Sequence, residues 1–158
     1  YGITMWPEFK GRDGCRTAHP WSKDAADLGF SSASQPAAPW LPVIEPHRAL
    51  AVDVQERDEG SLLHFYRGLL RWRKTQPALV SGTLSVLPAH PQVLAFERAL
   101  EGQQLLCVFN FSDTTAAWEI PAAYATATIV SGSGLAEVPR AGNILHMPAW
   151  SGAYFQQV

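Results

Sequence analysis

The sequence predicts two unlike parts: a loop-rich segment ending in one amphipathic α-helix, and an antiparallel β-sandwich behind it. Three observations carry this. Residues 1–60 are poor in hydrophobic periodicity and rich in Pro, Ser, Ala and Trp. Residues 61–74 set their apolar side chains at helical spacing. After Ser81-Gly82 the period changes to two, in short apolar runs parted by Pro, Gly, Ser and Asp.

A structureless stretch as long as the first segment is unusual in a compact domain. Its densest punctuation is Pro36-Ala37-Ala38-Pro39-Trp40-Leu41-Pro42-Val43. Trp6, Trp21, Phe30 and Trp40 are expected to be buried, with the segment draped over a scaffold that other chain supplies. Tyr1-Gly2-Ile3-Thr4 likewise reads as chain entering from a larger body. The run from Gly11 to Trp21 sets two arginines, Arg12 and Arg16, four residues apart among small residues. A guanidinium is permanently charged and presents a rigid planar fork of donors, so the pair can grip a carboxylate and a neutral polyol together, which suits a sugar. The plainer reading, a surface Arg12–Asp13 ion pair, would contribute little energy.

The helix is expected from Ser61 to Lys74. Ser61 is an N-cap type, Asp58 and Glu59 put negative charge at its start, and Arg71, Arg73 and Lys74 put positive charge at its end, as the macrodipole favours. At 100° per residue, Leu62, Leu63, Phe65, Tyr66, Leu69, Leu70 and Trp72 cover about half the circumference. Pro77 is expected to stop it. Arg73 falls inside the apolar arc, so its charge must pair with a carboxylate or cap carbonyls of a neighbouring element.

Strands are expected at Thr83–Leu87, Val93–Arg98, Gln104–Phe111, Ala116–Ile120, Thr126–Ser131, Asn143–Met147 and Ala153–Gln157, with a turn at Glu101-Gly102. Short, regularly spaced strands of this kind build a sandwich.

Composition narrows the function. Twelve Lys+Arg against fourteen Asp+Glu give a formal charge of -2, without a basic block, so neither nucleic acid nor a membrane is an expected partner. Cys15 and Cys107 lie far apart, with no Cys or His at ligand spacing; no disulfide framework, metal site or cofactor is expected, and a reducing, cytoplasmic setting fits. Six Trp, seven Phe and four Tyr are generous for this length, and most of these rings are expected in the core. Asn110-Phe111-Ser112 matches a glycosylation acceptor by pattern but reads as the end of a strand.

Arg12, Asp13, Arg16, Thr17 and Trp21 match, in register, an Arg-Asp-x-x-Arg-Thr-Pro-Met-x-Trp motif. Leu28-Gly29-Phe30-Ser31 parallels Ala-Gly-Phe-Ser, and Pro39-Trp40-Leu41-Pro42-Val43, Phe65-Tyr66-Arg67 and Pro77-Ala78-Leu79 follow in the same order. On these residues the chain resembles the C-terminal part of an α-glucosidase of the α-amylase superfamily, glycoside hydrolase family 13, close to oligo-1,6-glucosidases and proteobacterial α-glucosidases. Ala18-His19 stands where that family has Pro-Met, a change that bears on substrate preference.

The resemblance implies an α/β part plus an all-β part: residues 1–80 as the end of a (β/α)8 TIM barrel, with an active-site loop and the last helix, and residues 81–158 as a C-terminal antiparallel β-sandwich. It implies a retaining α-glucosidase that releases or transfers glucose from the non-reducing end of short α-glucosides such as maltose. The catalytic carboxylates would lie upstream, so Glu8, Asp13, Asp24, Asp27 and Glu45 are not those groups, and the N-terminal barrel portion is the expected partner. Arg16 is the implied substrate-binding residue, reaching the glucose 4-hydroxyl; Arg12 is a second candidate, and His19 a candidate on the acceptor side. The rival expectations are a sucrose-acting or isomerising relative and a non-catalytic carbohydrate-binding or partner module.

Overall fold

The computed structural model describes residues 16–35 and 39–157. Trp6, Arg12, Asp13 and Cys15 lie outside the described residues. The chain falls into two units that divide between Tyr66 and Arg67.

In the first unit the loop-like composition concealed two short helices, α1 (Glu45–Ala49) and α2 (Val52–Gln55). Pro46 sits in the first turn of α1, where a missing N–H leaves no bond unmade. The long helix α3 (Leu62–Lys74) then begins as its sequence predicts. Ser61 Oγ accepts from the His64 amide at 3.4 Å, and Gln55 Oε1 accepts from the Leu63 amide at 3.2 Å, so two amides of the first turn find side-chain partners.

Trp21, Phe30 and Trp40, expected to be buried against a scaffold that other chain supplies, are 52%, 63% and 83% exposed on this chain alone. They sit on loops over which the described residues lay no second layer. The apolar arc of α3 is covered in part. Trp72 is buried and Leu69 packs beside it, whereas Leu62, Tyr66 and Leu70 are exposed.

The second unit turns on Pro77. α3 ends at Lys74, ahead of Pro77 as the sequence predicts, and Pro77 then opens a further short helix, α4 (Pro77–Ser81), because proline's fixed φ suits a first turn. The Arg73 guanidinium donates to the Leu79 carbonyl of α4 at 2.9 Å, the carbonyl-capping role its place in the arc demanded.

Two sheets follow, antiparallel throughout. One runs β1 (Thr83–Val86), β2 (Val93–Leu100), β3 (Gln103–Asn110), β8 (Gly152–Gln156) and β5 (Thr128–Ile129) in spatial order; the other runs β4 (Ala116–Glu119), β7 (Ile144–Met147) and β6 (Arg140–Ala141). The β2–β3 hairpin closes at Glu101-Gly102, with Leu100 opposite Gln103 and Gly102 at φ +81°, a value that glycine adopts without steric cost. The expected strand Thr126–Ser131 shrinks to β5, and β6 was not foreseen, since a two-residue strand has no period to read.

Alternation assigns the faces. Leu106 and Val108 of β3 and Ala153 and Phe155 of β8 point inward to meet Ala116 and Trp118 of β4 and Leu145 and Met147 of β7. The opposite face of the larger sheet, through Leu105 and Cys107, meets Trp72, Ala78 and Leu79. Trp72 Nε1 donates to the Ser131 carbonyl at 2.9 Å, and its ring lies 4.7 Å from that of Tyr154.

Asn110 ends β3 as a buried clasp, 2% exposed. Its Nδ2 lies 2.7, 3.1 and 2.8 Å from the carbonyls of Thr114, Met147 and Pro148, while its Oδ1 accepts from the Ser112 amide at 3.0 Å. Replacing Asn110 by Ala strands those carbonyls at a cost of about 2–4 kcal/mol, to be read in urea unfolding against the wild type.

Cys107 is fully buried, and desolvation, only partly countered by Arg98, raises its thiol from 9.0 to about 12. A folded-state value above the unfolded one means the contribution is whole below pH 9 and is lost as the pH climbs toward 12. Cys107 is therefore expected to resist alkylation at pH 8 until the fold is opened, measured by mass after iodoacetamide with and without urea.

Candidate functional site

Arg16 stands exposed at the start of the described residues, and the loop behind it is held by backbone polar groups rather than by a sheet. The amides of Trp21 and Ser22 both donate to the Leu28 carbonyl, at 2.9 and 2.8 Å. Leu28 itself is buried to 1% exposure at φ +60°, an uncommon backbone for a branched side chain, and Gly29 continues the left-handed turn at φ +72°. A Cβ on Gly29 would stand 3.1 Å from that of Ser22, a tight contact, so glycine is favoured there by space as well as by φ.

Asp27 makes that turn possible. It is 8% exposed, and its two carboxylate oxygens accept from the amides of Gly29 at 3.0 Å and Ser31 at 2.8 Å. Both oxygens are thus engaged in shaping the loop.

Two residues of the short helices clamp the loop from outside. Asp53 accepts from the Lys23 amide at 3.0 Å and from Ser22 Oγ at 3.4 Å, and Val52 and Asp53 donate their own amides to Pro20 and Trp21. Arg48 Nη1 donates to the carbonyls of Lys23 and Ala25 at 2.6 and 3.0 Å. Sequence reasoning missed both positioning residues, because each acts across more than twenty residues of chain.

The result is a cleft of about 290 Å3 lined by Arg16, Ala18, Asp27, Phe30, Ser31, Pro39, Trp40 and Leu41. A permanent cation, a hydroxyl and two exposed rings converge there, the combination by which a site holds a polyol with one polar and one apolar face. Phe30 follows Gly29 and Trp40 follows Pro39, turn-forming residues that set each ring on a loop. His19 is exposed and meets the Trp21 ring edge-on at 4.7 Å. Arg12 lies outside the described residues. Among the described residues no three His, Cys, Asp or Glu side chains are grouped to hold a metal ion, and no helix is long and apolar enough to cross a membrane.

Comparison with known proteins matches the chain to two families in succession. Residues 3–82 match the family described as Alpha amylase, catalytic domain, and residues 84–153 match Maltogenic Amylase, C-terminal domain. A probable alpha-glucosidase of Rhizobium meliloti (strain 1021) is 46% identical over 77% of this chain and 21% of its own length. An oligo-1,6-glucosidase of Parageobacillus thermoglucosidasius is 32% identical over 72% of this chain and 19% of its own. Among solved structures, the alpha-glucosyl transfer enzyme XgtA superposes with a TM-score of 0.85 at 38% identity, covering 100% of this chain and 28% of that one. The chain thus spans about a fifth of the length of the curated relatives it matches. By these matches it belongs to the α-amylase family, glycoside hydrolase family 13, and carries the end of the family's catalytic domain followed by a C-terminal β domain.

Proposed function

We propose that this chain is the C-terminal part of a retaining α-glucosidase, working with an upstream barrel portion in the cytoplasm, and that Arg16 holds the non-reducing glucosyl unit of a short α-glucoside such as maltose. A (β/α)8 barrel takes about 250 residues, more than this chain has, so the carboxylates that attack the anomeric carbon and protonate the leaving oxygen belong to the upstream portion. What this chain supplies is the wall of the sugar cavity.

The observation that carries the reading is the juxtaposition of Arg16 with the exposed rings of Phe30 and Trp40 around one sugar-sized cleft. A guanidinium closing one end of such a cavity binds a terminal hydroxyl by a charge-assisted bond and leaves no room for a longer chain, which makes the action exo. Resemblance to the alpha-glucosyl transfer enzyme favours a second outcome for the same intermediate, transfer of the glucosyl unit to an acceptor hydroxyl in place of water.

A charge-assisted bond of about 1.5–3 kcal/mol sets the expected size of the effect. In the full-length polypeptide, Arg16→Ala should lower kcat/KM on maltose and on p-nitrophenyl α-glucoside by about ten- to a hundred-fold. Near-wild-type kinetics would overturn the assignment. Product analysis at high acceptor concentration separates hydrolysis from transfer.

A further inference from the structure

Among the described residues, the side-chain-bearing positions with a left-handed backbone are Leu28 at φ +60° and Trp150 at φ +52°. For a bulky side chain that backbone is costly, and it persists only where the surroundings over-determine it. Burial offsets the cost at Leu28, which is 1% exposed. Nothing of the kind offsets it at Trp150, which is 69% exposed on the turn between β7 and β8. A lone exposed ring is ordinary on a surface. One that also strains its backbone is not, since glycine would fit such a turn without steric cost.

Polar contacts fix the turn on both sides of the ring. The Trp150 amide donates to the Ser112 carbonyl at 3.0 Å, and the Asn110 amide donates to the Ser151 carbonyl at 2.8 Å. Ser151 Oγ donates to the Pro148 carbonyl at 2.7 Å, the same carbonyl that lies 2.8 Å from Asn110 Nδ2. The clasp at Asn110 thus joins this turn to the loop 112–115, and the indole stands out from a backbone tied before and after it.

The loop that meets the turn is polar: Ser112, Asp113, Thr114 and Thr115, of which the last three are exposed. Gln92 Nε2 donates to the hydroxyls of Ser112 and Thr114 at 3.0 and 2.8 Å. Asp113 stays out of that network. Among the described residues its carboxylate has no hydrogen bond or ion pair, and the Trp150 indole N–H has no acceptor. Phe111, beside this loop in sequence, leans on Phe109 instead, with ring centroids 6.3 Å apart. A protein contact calls for a contiguous apolar patch, whereas Ser112, Asp113, Thr114 and Ser151 surround this ring in sequence and in its hydrogen bonds with polar groups. An aromatic face with an unused N–H and an unused carboxylate on the adjoining turn is the equipment for a sugar, which offers C–H groups on its face and hydroxyls at its edge.

We propose that Trp150 and Asp113 form a sugar platform on the β sandwich, the indole stacking on the face of a glucosyl unit of an α-linked oligosaccharide and the carboxylate accepting from its hydroxyls. The turn is open, so it takes a unit within a chain as readily as one at its end. α-Linked glucose is the occupant on the reading of this chain as part of an α-glucosidase, and the inference rests on that reading.

Native electrophoresis of the full-length polypeptide through gels cast with and without soluble starch tests it. Starch should retard the wild type, and Trp150→Gly should weaken the retardation about ten-fold, since the stacked face and its N–H go together. Asp113→Ala should weaken it about three- to ten-fold through loss of a bond to a charged group. An unretarded wild type, or a Trp150→Gly protein retarded as strongly as the wild type, overturns the proposal. Arg16→Ala should be retarded as the wild type is; loss of retardation there also overturns it, with the starch then held at the Arg16 cleft. The thermal midpoint is the readout that a packed ring would move. Trp150→Gly should unfold within about 3 °C of the wild type, and a larger fall overturns the platform in favour of an indole that packs on the longer polypeptide. Turnover of p-nitrophenyl α-glucoside by each sample keeps the two ideas apart: an active wild type that starch does not retard sinks the platform alone, and a retarded but inactive one sinks the function alone.

Discussion

One indole holds the second unit in register. Trp72 is the point at which α3, itself polar on its far side, becomes part of a β structure: its ring lies on Tyr154 and its N–H reaches the Ser131 carbonyl. Burying a tryptophan brings a large apolar area out of water, but it also removes a donor that must be satisfied. Ser131 meets that demand from the stretch after β5, so the same residue that packs the helix fixes where the chain after β5 must run. Gly132 leaves room for it, since a Cβ there would stand 3.2 Å from the indole.

The cleft loop follows a different logic. It has no sheet to lean on, so its order comes from polar groups turned inward: the Asp27 carboxylate on two amides, the Leu28 carbonyl on two more, and Arg48 and Asp53 from the neighbouring helices. Leu28 is the anchor. Its buried side chain compensates for a left-handed backbone of the kind that collects at functional sites. A loop fixed in this way presents the Phe30 side chain from a firm base.

What was legible in the sequence was what repeats. The period of α3, its cap at Ser61 and the misfit of Arg73 could all be read because each is a relation between residues three or four apart. The strands β2, β3, β7 and β8 could be read because alternation shows over four or more residues; β5 and β6, two residues each, could not. Pro77 marked the end of α3, but the helix α4 that it opens is five residues long and too short to show a period. For the exposed rings of the cleft, hydrophobicity alone does not distinguish a ring that fills a core from one that faces a ligand or the rest of a longer chain. The loop contacts of Arg48 and Asp53 leave no local signal, since those partners lie twenty-three or more residues away. The family motif reached Arg16 where periodicity was silent.

The clasp at Asn110 has a bearing on how such a protein can be made. Its Nδ2 is the atom that a eukaryotic secretory pathway would modify in the triplet Asn110-Phe111-Ser112, and that transfer happens on the nascent chain, before any fold can hide the amide. A branched saccharide there could not share the space in which Nδ2 meets three carbonyls, so the loop after β3 and the loop before β8 would be left unjoined. A host whose export machinery reads that triplet would therefore spoil the product during synthesis, whereas one that retains the chain in its cytosol would leave the amide intact.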